Sequence, residues 1–94
     1  MTYKLYFNKK AEKEWKKLSP VLRDQFKKKL ANVLDNPHIL SARLRDMPDC
    51  YKIKLRQSGY RLVYQVSDHM ITVTVIGVGK RDKNHIYEIS KLRL

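Results

Sequence analysis

The sequence predicts an α+β domain in the order β-α-α-β-β-β with a short C-terminal helix, an antiparallel sheet carrying a helical hairpin on one face and leaving the other open and basic. Three observations predict it. Residues 2–7 and 50–66 alternate apolar and polar at period two, and residues 70–78 are β-branched. Two apolar stripes at helical spacing lie between the first two of these segments, and Asn36-Pro37 divides helices from later strands. Ninety-four residues suit one domain, 1–94, with a single modest core.

The elements follow in order. Tyr3, Leu5 and Phe7 alternate with Thr2, Lys4 and Tyr6, a first strand with one buried face. Asn8 suits a helix N-cap. Ala11, Trp15 and Leu18 then make one stripe of a helix ending at Leu18 or Ser19. Ser19-Pro20 supplies a cap and a first-turn proline for a longer helix to about Asp35, with Leu22, Phe26, Leu30, Val33 and Leu34 inward. Pro37 stops it, because proline cannot extend the hydrogen-bond ladder and restricts the residue before it. Residues 38–49 read as irregular, anchored by Ile39, Leu40 and Leu44. A hairpin over 50–66 turns at a glycine, a strand covers 70–78, and Ile86, Ile89 and Leu92 recur at helical spacing near the end.

The formal charge is +12, from 21 Lys and Arg against 9 Asp and Glu, which points to a polyanionic partner, nucleic acid before all others. No helix joins a wide apolar face to a basic one, so a membrane surface is a weak rival. The N-terminus has no signal-peptide core, and 70–79 is too short to span a bilayer as a helix. Cys50 is the sole cysteine and has no metal-ligand spacing. It reads as a small strand-end residue in a reducing cytoplasm, and no cofactor or metal is implied.

The hairpin carries the chemistry. If Leu55 pairs with Tyr60, Ile53 with Leu62 and Tyr51 with Tyr64, the large apolar residues share one side, and Lys52, Lys54 and Arg61 share the other. Lys54 then faces Arg61, a like-charge pair that invites an anion. A lysine-bearing sheet face is commonly just solvated, but such faces usually interleave both signs. Arg81, after the last strand and Gly79, suits a bidentate grip on phosphate. Tyr87 reads as packing beside Ile86 and Ile89 more readily than as a stacking or hydroxyl-donating group. The three histidines are scattered, with only His85 near this region, and no carboxylate pairs with it. Lys10, Lys13, Lys17, Arg23, Lys27 and Lys28 on the helices, with Arg45 and Arg56, are candidate RNA or ribosome contacts. Binding through them should weaken with salt at a log-log slope of about −0.7 per phosphate neutralised.

The stretches AEKEWKKL, LRDMPDCYKIKLRQSGYRLVYQV and VGKR with a following tyrosine, together with the Pro37 stop, closely resemble the RelE toxins of bacterial and archaeal toxin–antitoxin modules, over essentially the whole chain. The resemblance implies a microbial-ribonuclease-like fold and ribosome-dependent cleavage of mRNA in the ribosomal A site, halting translation. It implies a RelB-type antitoxin, with operator DNA engaged only through that antitoxin. Lys52, Lys54, Arg61, Arg81 and Tyr87 fall on the family's catalytic positions. Lys52 and Tyr87 are candidates to accept the 2′-hydroxyl proton and Lys54 to donate to the leaving oxygen, though Arg81 is an alternative acid and His85 an open participant. ParE-like gyrase inhibitors share the fold but generally lack this cation set.

Overall fold

The computed structural model describes residues 2–80 and 85–94; Arg81 lies outside the described residues. Its elements are β1 (Lys4–Phe7), α1 (Lys9–Lys16), α2 (Pro20–Asp35), a short 3₁₀ turn (Leu40–Ala42), β2 (Cys50–Leu55), β3 (Tyr60–Ser67), β4 (Thr72–Lys80) and α3 (His85–Leu92). The expected caps form. Asn8 Oδ1 accepts from the Lys10 amide at 2.9 Å, and Ser19 Oγ from the Leu22 amide at 3.3 Å.

The four strands lie in the order β1-β4-β3-β2. The meander β2-β3-β4 is antiparallel as expected, but β1 joins β4 in parallel, so the sheet is mixed. The cause is directional. The end of α2 returns to the start of β1, where the Tyr3 amide donates to the Leu34 carbonyl at 2.9 Å. β2 leaves from that same end, and β4, two antiparallel strands later, therefore shares the sense of β1.

Phe26, Leu30 and Val33 of α2 and Ala11 of α1 meet Tyr51, Ile53, Leu55, Leu62, Tyr64, Val66, Val73, Val75 and Val78 in the main core. The opposite face is not open. Cys50, Val63 and Ile76 form a second cluster there with Met47 and Ile86, and α3 covers part of it. Two features of β4 make the seat. Val63 pairs with Gly77 and Tyr64 with Val75, so Ile76 is an extra, bulged residue that packs beneath α3. Gly77 provides the clearance: a Cβ there would collide with the Ser90 hydroxyl, whereas one at 79 would lie in ordinary contact, 3.4 Å from Ile86 Cδ1.

Three local expectations are corrected. Leu92 is 87% exposed; the inward residues of α3 are Ile86 and Ser90, one helical turn apart, and a search for apolar residues alone passes over the serine. Ile39 and Leu40 are exposed, and the 38–49 segment is held instead by Met47 and Leu44 in the second cluster. Pro37, just before it, is buried where the Tyr64 hydroxyl donates to its carbonyl at 3.0 Å. Ile71 takes φ 55° in a turn, so β4 begins at Thr72 and Met70 is exposed.

A polar network secures the end of the sheet where β1 and β2 begin. The Tyr3 hydroxyl donates to Asp68 Oδ1 at 2.7 Å, and His38 bridges the same oxygen at 2.7 Å and the Tyr51 hydroxyl at 3.0 Å. The bonds from Tyr3 and then His38 hold the Asp68 carboxyl below its ordinary range.

Gly77→Ala should destabilise the chain by ~1–3 kcal/mol in urea unfolding. Ser90→Ala should recover most of that loss and be neutral or stabilising alone, since the buried Ser90 hydroxyl has no partner among the described residues. The depressed Asp68 favours the folded state above the unfolded carboxyl's pKa, and that stability is lost as pH falls through the lower folded value. Asp68→Asn should therefore flatten the acid limb of a stability-against-pH curve, and an unchanged limb would show that this network does not contribute.

Candidate active site

The hairpin has the register its apolar pattern demands, with Leu55 opposite Tyr60, Ile53 opposite Leu62 and Tyr51 opposite Tyr64. Lys52 and Lys54 therefore project from the other face, Lys54 directly opposite Arg61. Gly79 on β4 is the next residue across from Arg61 and contributes no side chain.

Arg61 is the electrostatic anomaly of this face. It is only 8% exposed, its Nη1 donates to the Tyr60 carbonyl at 3.1 Å, and its buried Nε has no partner among the described residues. Among those residues no carboxylate forms a salt bridge with it. A guanidinium carries five N–H donors and a fixed charge, and holding it buried without a counter-charge is unfavourable. An anion at this point would satisfy both deficits.

Lys54 is exposed, and its pKa is lowered, chiefly by the charge of Lys52, then by partial desolvation and by Arg61 and Arg56. A lysine displaced in this direction gives up a proton more readily than an isolated one. Its surroundings are concave. Depressions of about 610 and 520 Å³ flank it between α2 and the β2 edge, and Lys29 and Arg56 line both. Lys29 joins the candidate residues only through the structure. Its signal lay in the Lys27-Lys28-Lys29 run, of which only the third residue lines the groove.

The other candidates divide. Lys10 and Lys13 lie on α1, with Lys17 as its C-cap, and α1 packs against β4 on the far side of the helical layer from this groove. Arg23, Lys27 and Lys28 lie on α2, and Arg45 is exposed in the loop before β2; none of the four lines the groove. Tyr87 is half-buried on α3, packed against the second cluster beside Leu44. That cluster includes Val63, which pairs with Lys52 and stands two residues from Arg61. His85 is exposed at the start of α3, and burial pushes the Cys50 thiol up to about 11, as expected of an inert packed cysteine.

Fold and site together define a small α+β protein with a basic groove and a buried arginine that has no counter-charge among the described residues, an arrangement able to hold an anion. Residues 5–85 match the family described as the ParE toxin of type II toxin–antitoxin systems, parDE. The chain is 54% identical over 94 residues to the mRNA interferase toxin RelE of Escherichia coli strain K12, covering 100% of this chain and 99% of that protein. It superposes on the free state of an arginine-to-alanine double mutant of E. coli toxin RelE with a TM-score of 0.92, at 53% identity and covering 100% and 99% of the two chains. The corresponding values for the intact E. coli RelBE toxin–antitoxin complex are 0.83, 59%, 85% and 98%. The chain belongs to the RelE toxins within this ParE-type toxin family.

The like-charge pair has a measurable signature. Lys54→Ala should raise the thermal midpoint at low ionic strength and lose that advantage as salt screens the repulsion. The advantage should also shrink at alkaline pH: the folded pKa of Lys54 lies below the unfolded value, so the parent chain gains stability as pH rises through it. No advantage at low salt, or an advantage insensitive to both salt and pH, would refute the repulsion.

Proposed function

We propose that this chain is a cytoplasmic, ribosome-dependent endoribonuclease that cleaves mRNA in the ribosomal A site and is neutralised by a RelB-type antitoxin. The observation that carries the reading is the buried Arg61, without a counter-charge among the described residues, opposite Lys54. Identity of 54% with an mRNA interferase over the full chain supports the substrate, and likeness to the toxin of the RelBE complex supports the antitoxin. No described helix is long and apolar enough to cross a membrane.

In the cleavage, a ribose 2′-oxygen bonds to the adjacent phosphorus, the bond from phosphorus to the 5′-oxygen breaks, and a 2′,3′-cyclic phosphate and a 5′-hydroxyl result. The intermediate phosphorane carries more negative charge than the diester. Fixed cations therefore bind the transition state more strongly than the substrate. Arg61, and Arg81 from beyond the last strand, clamp the phosphate, because guanidinium scarcely releases a proton. Lys54, its proton loosened by Lys52, protonates the departing 5′-oxygen. Lys52 and Tyr87 take or orient the 2′-hydroxyl proton. None of these steps calls on a metal or a cofactor.

Such a site has no matched acid–base pair near neutrality, so rate depends on the ribosome to hold the message in an attack geometry. Lys29 and Arg56 draw the RNA backbone along the α2–β2 groove, while Lys10, Lys13, Lys17, Arg23, Lys27, Lys28 and Arg45 offer phosphate contacts elsewhere on the ribosome's small subunit. Operator DNA is reached through the antitoxin. The family description names ParE, and a gyrase inhibitor is the second reading; the cation set opposes it, since gyrase inhibition has no use for a phosphorane site.

Primer extension on a defined message in translating ribosomes tests this. The unmodified chain should give A-site breaks absent from ribosome-free RNA, and the Lys54→Ala, Arg81→Ala double variant should lose about 100-fold or more. Intact message together with blocked gyrase supercoiling would establish the second reading instead.

A further inference from the structure

We infer that Glu14 and Arg93 form a latch that sets the docked position of α3 and, through it, the placement of Tyr87 beside the cationic face. The inference rests on the proposed participation of Tyr87 in cleavage.

The latch sits where the sheet runs out of strand. β1 pairs with β4 only as far as Val75, where the Asn8 amide donates to the Val75 carbonyl at 2.8 Å. Beyond that point no strand covers this side of β4 among the described residues. The groups a further strand would have satisfied are taken by two side chains. Glu14 Oε1 accepts from the Val78 amide at 3.1 Å, and Arg93 Nη1 donates to the Ile76 carbonyl at 2.9 Å. The two also pair with each other in bidentate fashion, at 2.8 Å and 3.1 Å. Glu14 comes from α1 over the main core, and Arg93 directly follows α3 over the second cluster. Their bridge therefore passes around the sheet edge and ties both helical layers to the same strand.

α3 needs such a tie. It has eight residues, about 12 Å of helix, too short to persist without tertiary contacts. Only Ile86 and Ser90 among them are buried, and Ser90 contributes no apolar side chain. The pair that supplements this packing is of the strong kind, bidentate and partly desolvated, with side chains 11% and 27% exposed for Arg93 and Glu14. It also employs one of only nine acidic residues in the chain.

The geometry carries the effect to the site. The first turn of α3 rests with Ile86 against Gly77 and Gly79, and Gly79 is the cross-strand neighbour of Arg61. Tyr87 follows Ile86. A short rigid helix seated on glycine at one end and pinned by Arg93 at the other has its tilt fixed at two points. Releasing the pin lets α3 swing on its glycine seat and moves Tyr87 relative to Arg61 without touching either residue. Glu14 and Arg93 are thus positioning residues.

The test compares the unmodified chain with Arg93→Met, Glu14→Gln, Tyr87→Phe and the Arg93→Met, Tyr87→Phe double variant. Expected for Arg93→Met are faster amide exchange across α3, a shifted Tyr87 ring resonance, and a cleavage rate on saturating ribosomes at least about 10-fold lower with half-saturation unchanged. Tyr87→Phe should then add little, because a displaced tyrosine has nothing left to lose. Glu14→Gln should repeat the direction of each change. Should Arg93→Met fail to fold, Arg93→Lys, which keeps the charge without the fork, takes its place. Unchanged α3 exchange and Tyr87 resonance would overturn the latch whatever the cleavage rate. Normal cleavage by Arg93→Met, or losses that multiply in the double variant, would overturn its link to Tyr87. If the unmodified chain cuts no message, the proposed activity fails by itself, while exchange and resonance still decide the latch.

Discussion

The stacked pairing of Tyr51 on Tyr64, followed by Ile53 on Leu62 and Leu55 on Tyr60, is the contact on which the rest of this structure depends. These residues must face α2 to be buried, and a strand has only two faces. Lys52, Lys54 and Arg61 are consequently driven onto the other side, into a juxtaposition that their own electrostatics oppose. Apolar burial wins because it acts on six side chains at once, whereas the repulsion of Lys54 and Arg61 is a single pairwise effect that solvent partly screens. A slip of one residue would relieve the repulsion only by exposing that whole apolar row.

A second constraint acts on the opposite face. Gly77 and the bulge at Ile76 shape β4 to receive a helix, and the same strand supplies, through Gly79, the bare position beside Arg61. Packing and chemistry thus share one strand. Where β1 ends, the exposed backbone of β4 is closed by a carboxylate and a guanidinium instead of another strand, which blunts an edge otherwise open to pairing with a second chain.

Charge is distributed with a corresponding division of labour. Among the described residues partnered carboxylates lie away from the groove: Asp68 hydrogen-bonded to His38 and Tyr3 at one end of the sheet, Glu12 with Lys16 on α1, and Glu14 with Arg93 at the β4 edge. Around Lys54 the described neighbours are cations, Lys52, Arg56 and Arg61, whose charges act on it together. Among the described residues the buried Arg61 Nε has no partner, and such departures from local consistency are expected where a ligand completes the site.

The sequence by itself determined the helical hairpin with both caps, the β2–β3 register and the cation pair opposite each other, because each follows from periodicities and turn residues acting over a few neighbours. The shared face of Lys52, Lys54 and Arg61 follows from that register. The parallel seating of β1, the covered second face, the glycine seat under α3 and the Glu14–Arg93 bridge were decided only by tertiary structure. Each depends on how one element docks on another, as with Glu14 and Arg93, 79 apart in sequence, and with Gly77 of β4 and Ser90 of α3, and no local pattern of side chains encodes the direction of docking. The outward turn of Leu92 has the same origin: its spacing fits a buried stripe, but Gly77 admits Ser90 and leaves the leucine in water.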